Sequence, residues 1–282
     1  MPLDQVDVKN TPKVEKEMTF LQHLEELRWH LIRAVIAVFA IAIMVFLAKS
    51  WVLKIVFGPT QPDFITYEII CQIITNFSPG SACLRPIEIN FITPNFGEKF
   101  ITYLKISIIL GLVAAFPYVF WEFWRFISPG LYDTERKAAR GVVFVCSALF
   151  MLGVSFGYFV IAPFAVTFLT SFEIEGIDGA YPAFSSYVNY LIMFTVPVGI
   201  VFELPVVVFF LSKVGLITPE FMKQYRRHAF VIILIAAAAI TPPDVITQIL
   251  IALPLYILYE ISITISRRVV KKQQELFERE GL

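Results

Sequence analysis

Glu26, Glu135 and Glu203 lack a lysine or arginine at helical pairing distance on their own segment. Glu26 has Trp29 and His30 three and four residues on, and Glu135 has Ala138 and Ala139. By contrast Glu25 has Arg28 at that spacing and can pair locally. Glu203 is set in Phe202-Glu203-Leu204-Pro205, well inside an apolar run. An acid with no cation of its own is open to a charged ligand or a proton, or else it is a solvated charge near a helix start, favoured by the dipole. For Glu26 and Glu135 the spacing alone leaves both readings standing. Glu203 differs, because a charged and unpaired carboxylate at membrane depth costs several kcal/mol. It must be protonated, paired or facing a wet cavity, and a neutral carboxyl bonded to backbone freed by Pro197 or Pro205 is its structural reading.

Other site chemistry is sparse. His23, His30 and His228 make a poor metal set, since no third ligand lies near the first two in sequence. There is no phosphate-binding G-x-x-x-x-G-K-[ST] run, no G-x-G-x-x-G fingerprint and no Ser, His and Asp arrangement, so catalytic residues, metal and cofactor are all expected to be absent. Cys71 and Cys83 stand twelve apart and could close a disulfide contributing about 2–4 kcal/mol, or remain two free thiols. Cys146 lies in an apolar run and reads as a small buried residue.

The elements that hold these groups follow from composition. Of 282 residues 57% are hydrophobic and only 16% charged, against about 25% charged in soluble domains. This excludes a single soluble domain, and the zero net charge gives no field for nucleic acid. A bilayer core requires roughly 20 apolar helical residues. Runs of that kind cover about 31–47, 100–123, 141–169 and 187–211. A last apolar region, 229–265, is broken only by Thr241-Pro242-Pro243-Asp244. Adjacent prolines cannot continue a helix, so this region is read as a hairpin with its turn at Pro242, Pro243 and Asp244 and two short arms, about 229–241 and 245–261. Six membrane segments result. Glu260, near the end of the last, is expected to reach Arg267 or the interface and to be structural.

Basic residues alternate between connections, with none in the stretch holding Glu173, Glu175 and Asp178 and none at the hairpin tip. The positive-inside rule then puts both termini in the cytoplasm. Residues 1–18 are polar, lack a signal-peptide core and are read as a cytoplasmic tail. Residues 271–282 are expected to be another frayed tail, leaving 19–270 as the membrane domain. Thr19 and Gln22 have capping-box spacing for the first helix. The external connection, about 50–98, is rich in turn formers and is expected to form a small cap.

At its motifs the sequence closely resembles the TatC family, the polytopic core subunit of the twin-arginine, Sec-independent protein translocase. The resemblance is collinear over about 19–270. It rests on His23-Leu24-Glu25-Glu26-Leu27-Arg28, on Trp124-Arg125-Phe126-Ile127-Ser128-Pro129-Gly130-Leu131-Tyr132, on Glu135-Arg136, on Phe202-Glu203-Leu204-Pro205 and on Thr241-Pro242-Pro243-Asp244. It implies an all-α integral membrane protein with six transmembrane helices in a concave, glove-like arrangement. The implied role is a receptor in the cytoplasmic (inner) membrane for signal peptides with two consecutive arginines, on proteins exported folded. Glu26 and Glu135 carry over as the twin-arginine site, with Arg28, Phe126, Tyr132 and Arg136 in the same matched motifs. Glu203 carries over as the polar contact with single-span partners of the TatA and TatB types. The implied assembly also contains further copies of the chain, in membrane lipid, and draws on the proton-motive force. A secondary transporter of small solutes is the competing class; it predicts internal repeats and several midplane ionisable groups, neither of which is evident.

Overall fold

The computed structural model describes residues 20–77, 89–127, 139–172, 182–240 and 245–280. Among these residues the chain is helical, with one isolated bridge between Ile92 and Ala183 and no strand. Several residues singled out above lie outside the described set: Cys83, Tyr132, Glu135, Arg136, Pro242, Pro243 and Asp244.

Five helical segments are long and apolar enough to cross a bilayer. The first is α1 (Phe20–Leu47), packed along α4 (Glu98–Ile127). The two backbones approach closely where Gly111 faces Ala42, and a Cβ on Gly111 would sit 2.8 Å from Ala42 backbone atoms. Small residues at such crossings replace the hydrophobic drive that lipid does not supply. Between these spans run α2 (Lys49–Phe57), the short turn Gly58–Thr60 and α3 (Ile65–Phe77), which form the expected cap.

Tyrosines fasten that cap to the spans beneath. Helix α2 ends with carbonyls that have no partner within the helix. The Tyr158 and Tyr187 hydroxyls donate to two of them, on Ile55 at 2.5 Å and Val56 at 2.6 Å. On α3, the buried Tyr67 hydroxyl meets the carbonyls of Pro59 at 2.8 Å and Pro163 at 3.1 Å. Cys71, also on α3, is disulfide-bonded, while Cys146 is free and buried.

The third span joins α5 (Ala139–Phe156), a π turn (Gly157–Ile161) and α6 (Ala162–Ser171). Pro163 follows the π turn, where a widened turn absorbs a residue that cannot donate. The fourth is broken in two, α7 (Phe184–Val201) and α8 (Leu204–Lys213), with Glu203 at the break and Pro205 in the first turn of α8. At the head of α7, Ser185 donates its hydroxyl to the Glu98 carboxylate at 2.5 Å, tying the starts of α4 and α7 together.

The hairpin's first arm is short, as expected, and its second is not. Helix α10 (Arg226–Ile240) has 15 residues, or about 22 Å of rise, and is not among the five long spans. It precedes α11 (Val245–Glu280). The arms run antiparallel: Arg226 donates to Glu260 at 2.7 Å, and Gln248 donates to the Leu234 carbonyl at 3.2 Å. Glu260 is therefore held by Arg226 across the hairpin and not by Arg267, because folding at the tip brings residues equally far from it side by side. Helix α11 also continues to Glu280, so the frayed tail expected after residue 271 is helical. Gln273 explains its start, donating to the Lys213 carbonyl at the end of α8 at 2.8 Å. Further back, Ser212 and Ser266 pair at 2.7 Å, fully buried, and α9 (Pro219–Gln224) is held by Tyr259 bonding to the Met222 carbonyl.

Candidate functional site

Two polar centres stand out, one where α1 meets the end of α4 and one at the break in the fourth span. In the first, His30 Nδ1 lies 2.5 Å from Glu122 Oε2. Glu122 is only 2% exposed, and its other oxygen accepts from the Tyr118 hydroxyl at 3.0 Å. The His30 ring also packs beside Phe126, with centroids 6.2 Å apart.

Helical spacing turns this pair into a positioning device. Residues four apart share a face, so Glu26 lies one turn before His30 on α1, and Phe126 one turn after Glu122 on α4. The latch thus sets Glu26 alongside the end of α4, where Phe126 stands half-buried and where the connection carrying Glu135 departs. Glu26 and Arg28 are exposed, and Glu26 makes no ion pair among the described residues. Trp124, in the same motif as Phe126, packs its ring 4.8 Å from Phe210 of α8. Its indole N–H is buried with no partner among the described residues.

Of the expected site residues, Glu26, Arg28 and Phe126 are thus at one end of the α1–α4 pair, and Tyr132, Glu135 and Arg136 lie outside the described set. Glu122 and His30 had not been singled out as site residues. Arg125, three residues after Glu122, gives that acid an apparent local partner, and its true partner is 92 residues away. The available signal was a lone acid in the aromatic stretch Trp121-Glu122-Phe123-Trp124, in a span adjacent to one bearing a lone histidine.

The second centre is Glu203. Both carboxylate oxygens are buried without a hydrogen-bond partner among the described residues. The groups that face them, the Cys146 thiol and the backbone of Phe150 on α5, fall outside bonding geometry. Its backbone carbonyl accepts from Val206 and Val207, so the helix resumes past Pro205 while the side chain stays unanswered. The neighbouring Phe202 packs into the closest crossing of α5 and α7, where a Cβ on Gly153 would lie 2.8 Å from both Gly199 Cα and Phe202 Cγ. An apolar cleft of about 310 Å³ adjoins the break, lined by Val145, Leu149, Pro205, Val206, Phe209 and Ile265. No group of histidine, cysteine and acidic side chains among the described residues could hold a metal.

Comparison with known proteins decides between the classes still open. The pattern described as "Sec-independent protein translocase protein (TatC)" matches residues 22–254. The chain belongs to the TatC family. A TatC protein of Blattabacterium sp. subsp. Periplaneta americana is 40% identical over 92% of this chain and 98% of its own length. One from Desulforapulum autotrophicum is 37% identical over 95% and 90%. Among solved structures, "Crystal Structure of Twin Arginine Translocase Receptor- TatC in DDM" superposes with a TM-score of 0.66 at 34% identity, covering 86% of this chain and 99% of that one. TatC membership makes this a multi-pass protein of protein transport and not an enzyme. The transporter of small solutes finds no support.

Proposed function

We propose that the chain binds twin-arginine signal peptides at the end of the α1–α4 pair, with Glu26 and Glu135 as the carboxylates that receive the two guanidinium groups. The observation that carries this reading is the exposed, unpaired Glu26 held beside Phe126 by the His30–Glu122 latch. Arginine presents a planar fork of donors that a carboxylate matches bidentately, whereas lysine is a point charge. Exposed ion pairs contribute only about 0–1 kcal/mol each. The apolar segment of the peptide therefore supplies much of the affinity by lying against the membrane face of the spans.

In the same reading the buried, unanswered Glu203 takes a polar group from a single-span partner of the TatA or TatB type, whose helix lies in the adjoining apolar cleft. Such a contact supplies the hydrogen bonds that this chain leaves open. The chain sits in the cytoplasmic membrane with both termini inside and assembles with further copies of itself. Arg125, Lys213, Lys223, Arg226 and Arg227 all belong on the inner side. Transport is driven by the proton-motive force. The external disulfide of Cys71 is closed by Cys83, since the third cysteine is free.

Photocrosslinking tests the recognition step. A photoreactive residue placed at Phe126 captures a twin-arginine peptide and captures a twin-lysine peptide poorly. Equal capture of the two would remove the arginine-specific site from this face.

A further inference from the structure

Helix α3 carries more apolar surface than its packing uses. On a helical projection Tyr67, Ile70, Cys71 and Ile74 form one face, and these with Thr66 are its buried or half-buried residues. Glu68, Gln72, Thr75 and Asn76 form the polar face. Between them runs a third stripe, Ile65, Ile69 and Ile73, four residues apart and 54%, 50% and 52% exposed. A helix in water does not need this ridge, and nothing among the described residues covers it.

The height of α3 above the membrane is set by its attachments. Thr66 donates to the Phe159 carbonyl at 2.5 Å. Phe64, just before the helix, stacks on the Phe159 ring at 5.7 Å and meets Tyr158 edge-on at 5.6 Å. Phe159 is 43% exposed on the side of the third span and lies eighteen residues beyond Gly141, where that span begins. This corresponds to about 27 Å of helix, within a hydrocarbon core of about 30 Å. Helix α3 therefore begins at the edge of the lipid, beside the aromatic side chains of Phe64, Tyr158 and Phe159. Aromatic belts of this kind mark the boundary between lipid and water.

We infer that α3 is an interfacial helix whose Ile65-Ile69-Ile73 ridge is seated in the outer leaflet, continuing the lipid-facing surface of Phe159. A helix with a polar face, an apolar face and an attachment at the interface lies along the membrane with its apolar side in the acyl boundary. Here the buried stripe grips the protein through Tyr67, and the isoleucine stripe grips the lipid. The cap is thereby held on two sides and fixes the outer ends of α2 and the third span. This inference depends on the membrane-spanning reading and not on where signal peptides bind.

A photocrosslinking amino acid tests it in the full chain reconstituted in vesicles of phosphatidylethanolamine and phosphatidylglycerol. One variant carries it at Ile69, one at Gln72 on the polar face, and one at Phe144, exposed on the same span toward its other end. Lipid adducts, read by mass, are expected at 144 and 69 and to be severalfold scarcer at 72. Adducts at 144 with none at 69, or capture of a second chain at 69, overturn the interfacial helix alone. Absence of adducts at 144 would overturn the membrane-spanning reading itself. The variant Ile69→Glu is expected to fold and to loosen the cap, seen as faster amide exchange in α3 only when vesicles are present. Equal exchange in α3 of the unmodified chain and the variant in vesicles also contradicts the inference.

Discussion

His30 on α1 and Glu122 on α4 meet at 2.5 Å, joining residues 92 apart at the end of the longest helix–helix contact in the fold. Glu122 is almost fully buried. Removing one member of such a pair leaves the other polar group without an answer and costs about 3–5 kcal/mol. His30→Ala is therefore expected to lower thermal stability in detergent and to weaken twin-arginine peptide binding while leaving Glu26 in the sequence. His30→Gln, which can still donate to Glu122, restores part of both. Thermal unfolding of the two single variants and of His30→Ala/Glu122→Ala gives the coupling, expected at about 1–3 kcal/mol. A coupling near zero would mean that the contact does not hold α1 to α4.

Glu203 gives the opposite signature. Its oxygens have no partner among the described residues, so replacing it with Leu costs the isolated chain little and removes a desolvation penalty. Glu203→Leu is expected to keep or raise the unfolding temperature and to lose export activity and copurification of single-span partners. Glu203→Gln keeps hydrogen-bonding capacity and is expected to retain partner binding. Loss of stability in both would assign the residue to the fold instead.

The crossing of α5 and α7 sets the geometry of that break. An added Cβ at Gly153 meets Gly199 Cα and Phe202 at 2.8 Å, so Gly153→Ala forces the helices apart at a cost of about 1–3 kcal/mol. It should lower the unfolding temperature by more than Gly141→Ala, where the space around an added Cβ is open. Equal effects of the two would show that close approach is not needed there.

The cap formed by α2 and α3 is sensitive to base through Tyr67. Burial pushes its phenol above the usual value of 10.0. The folded state thus favours the neutral form, and the contribution is fully present below pH 10 and lost as pH rises above it toward the folded value. Amide exchange in α3 is expected to accelerate in that window. Tyr67→Phe removes the hydroxyl whose single proton is shared between the Pro59 and Pro163 carbonyls, a loss of about 0.5–1.5 kcal/mol, and is expected to abolish the pH step. A step that persists in the variant would belong to another group.

Much of this was legible before any coordinate. The apolar runs located the second, third and fourth spans to within a few residues, since period and length are local properties, while the first helix begins at Phe20, well before the run that starts near residue 31. The hairpin follows from the Pro-Pro pair, whose flanks pair as Arg226 and Glu260, whereas the fourth run reads as continuous and its break at Glu203 is not foreseen, since Pro197 sits inside α7 and only Pro205 opens a new helix. What else the sequence missed was non-local. Glu122 has Arg125 three residues on but is held by His30, Glu260 is expected to reach Arg267 or the interface and is held by Arg226, and the helix beyond Lys271, which has no apolar reason to persist, is bonded through Gln273 to the end of α8. In each case a partner from another segment displaced the neighbour in sequence. The interfacial stripe on α3 was hidden in a loop whose turn residues drew attention away from its helical period.

The central claim is that Glu26 and Glu135 receive two arginines, and equilibrium binding of a twin-arginine signal peptide to the purified chain tests it most directly. Glu26→Gln and Glu135→Gln keep size and polarity but lose charge. Each is expected to weaken binding of the twin-arginine peptide, the double variant more than either, and binding of the double variant should no longer distinguish arginine from lysine peptides. Unchanged affinity and unchanged preference for arginine in the double variant would contradict the account.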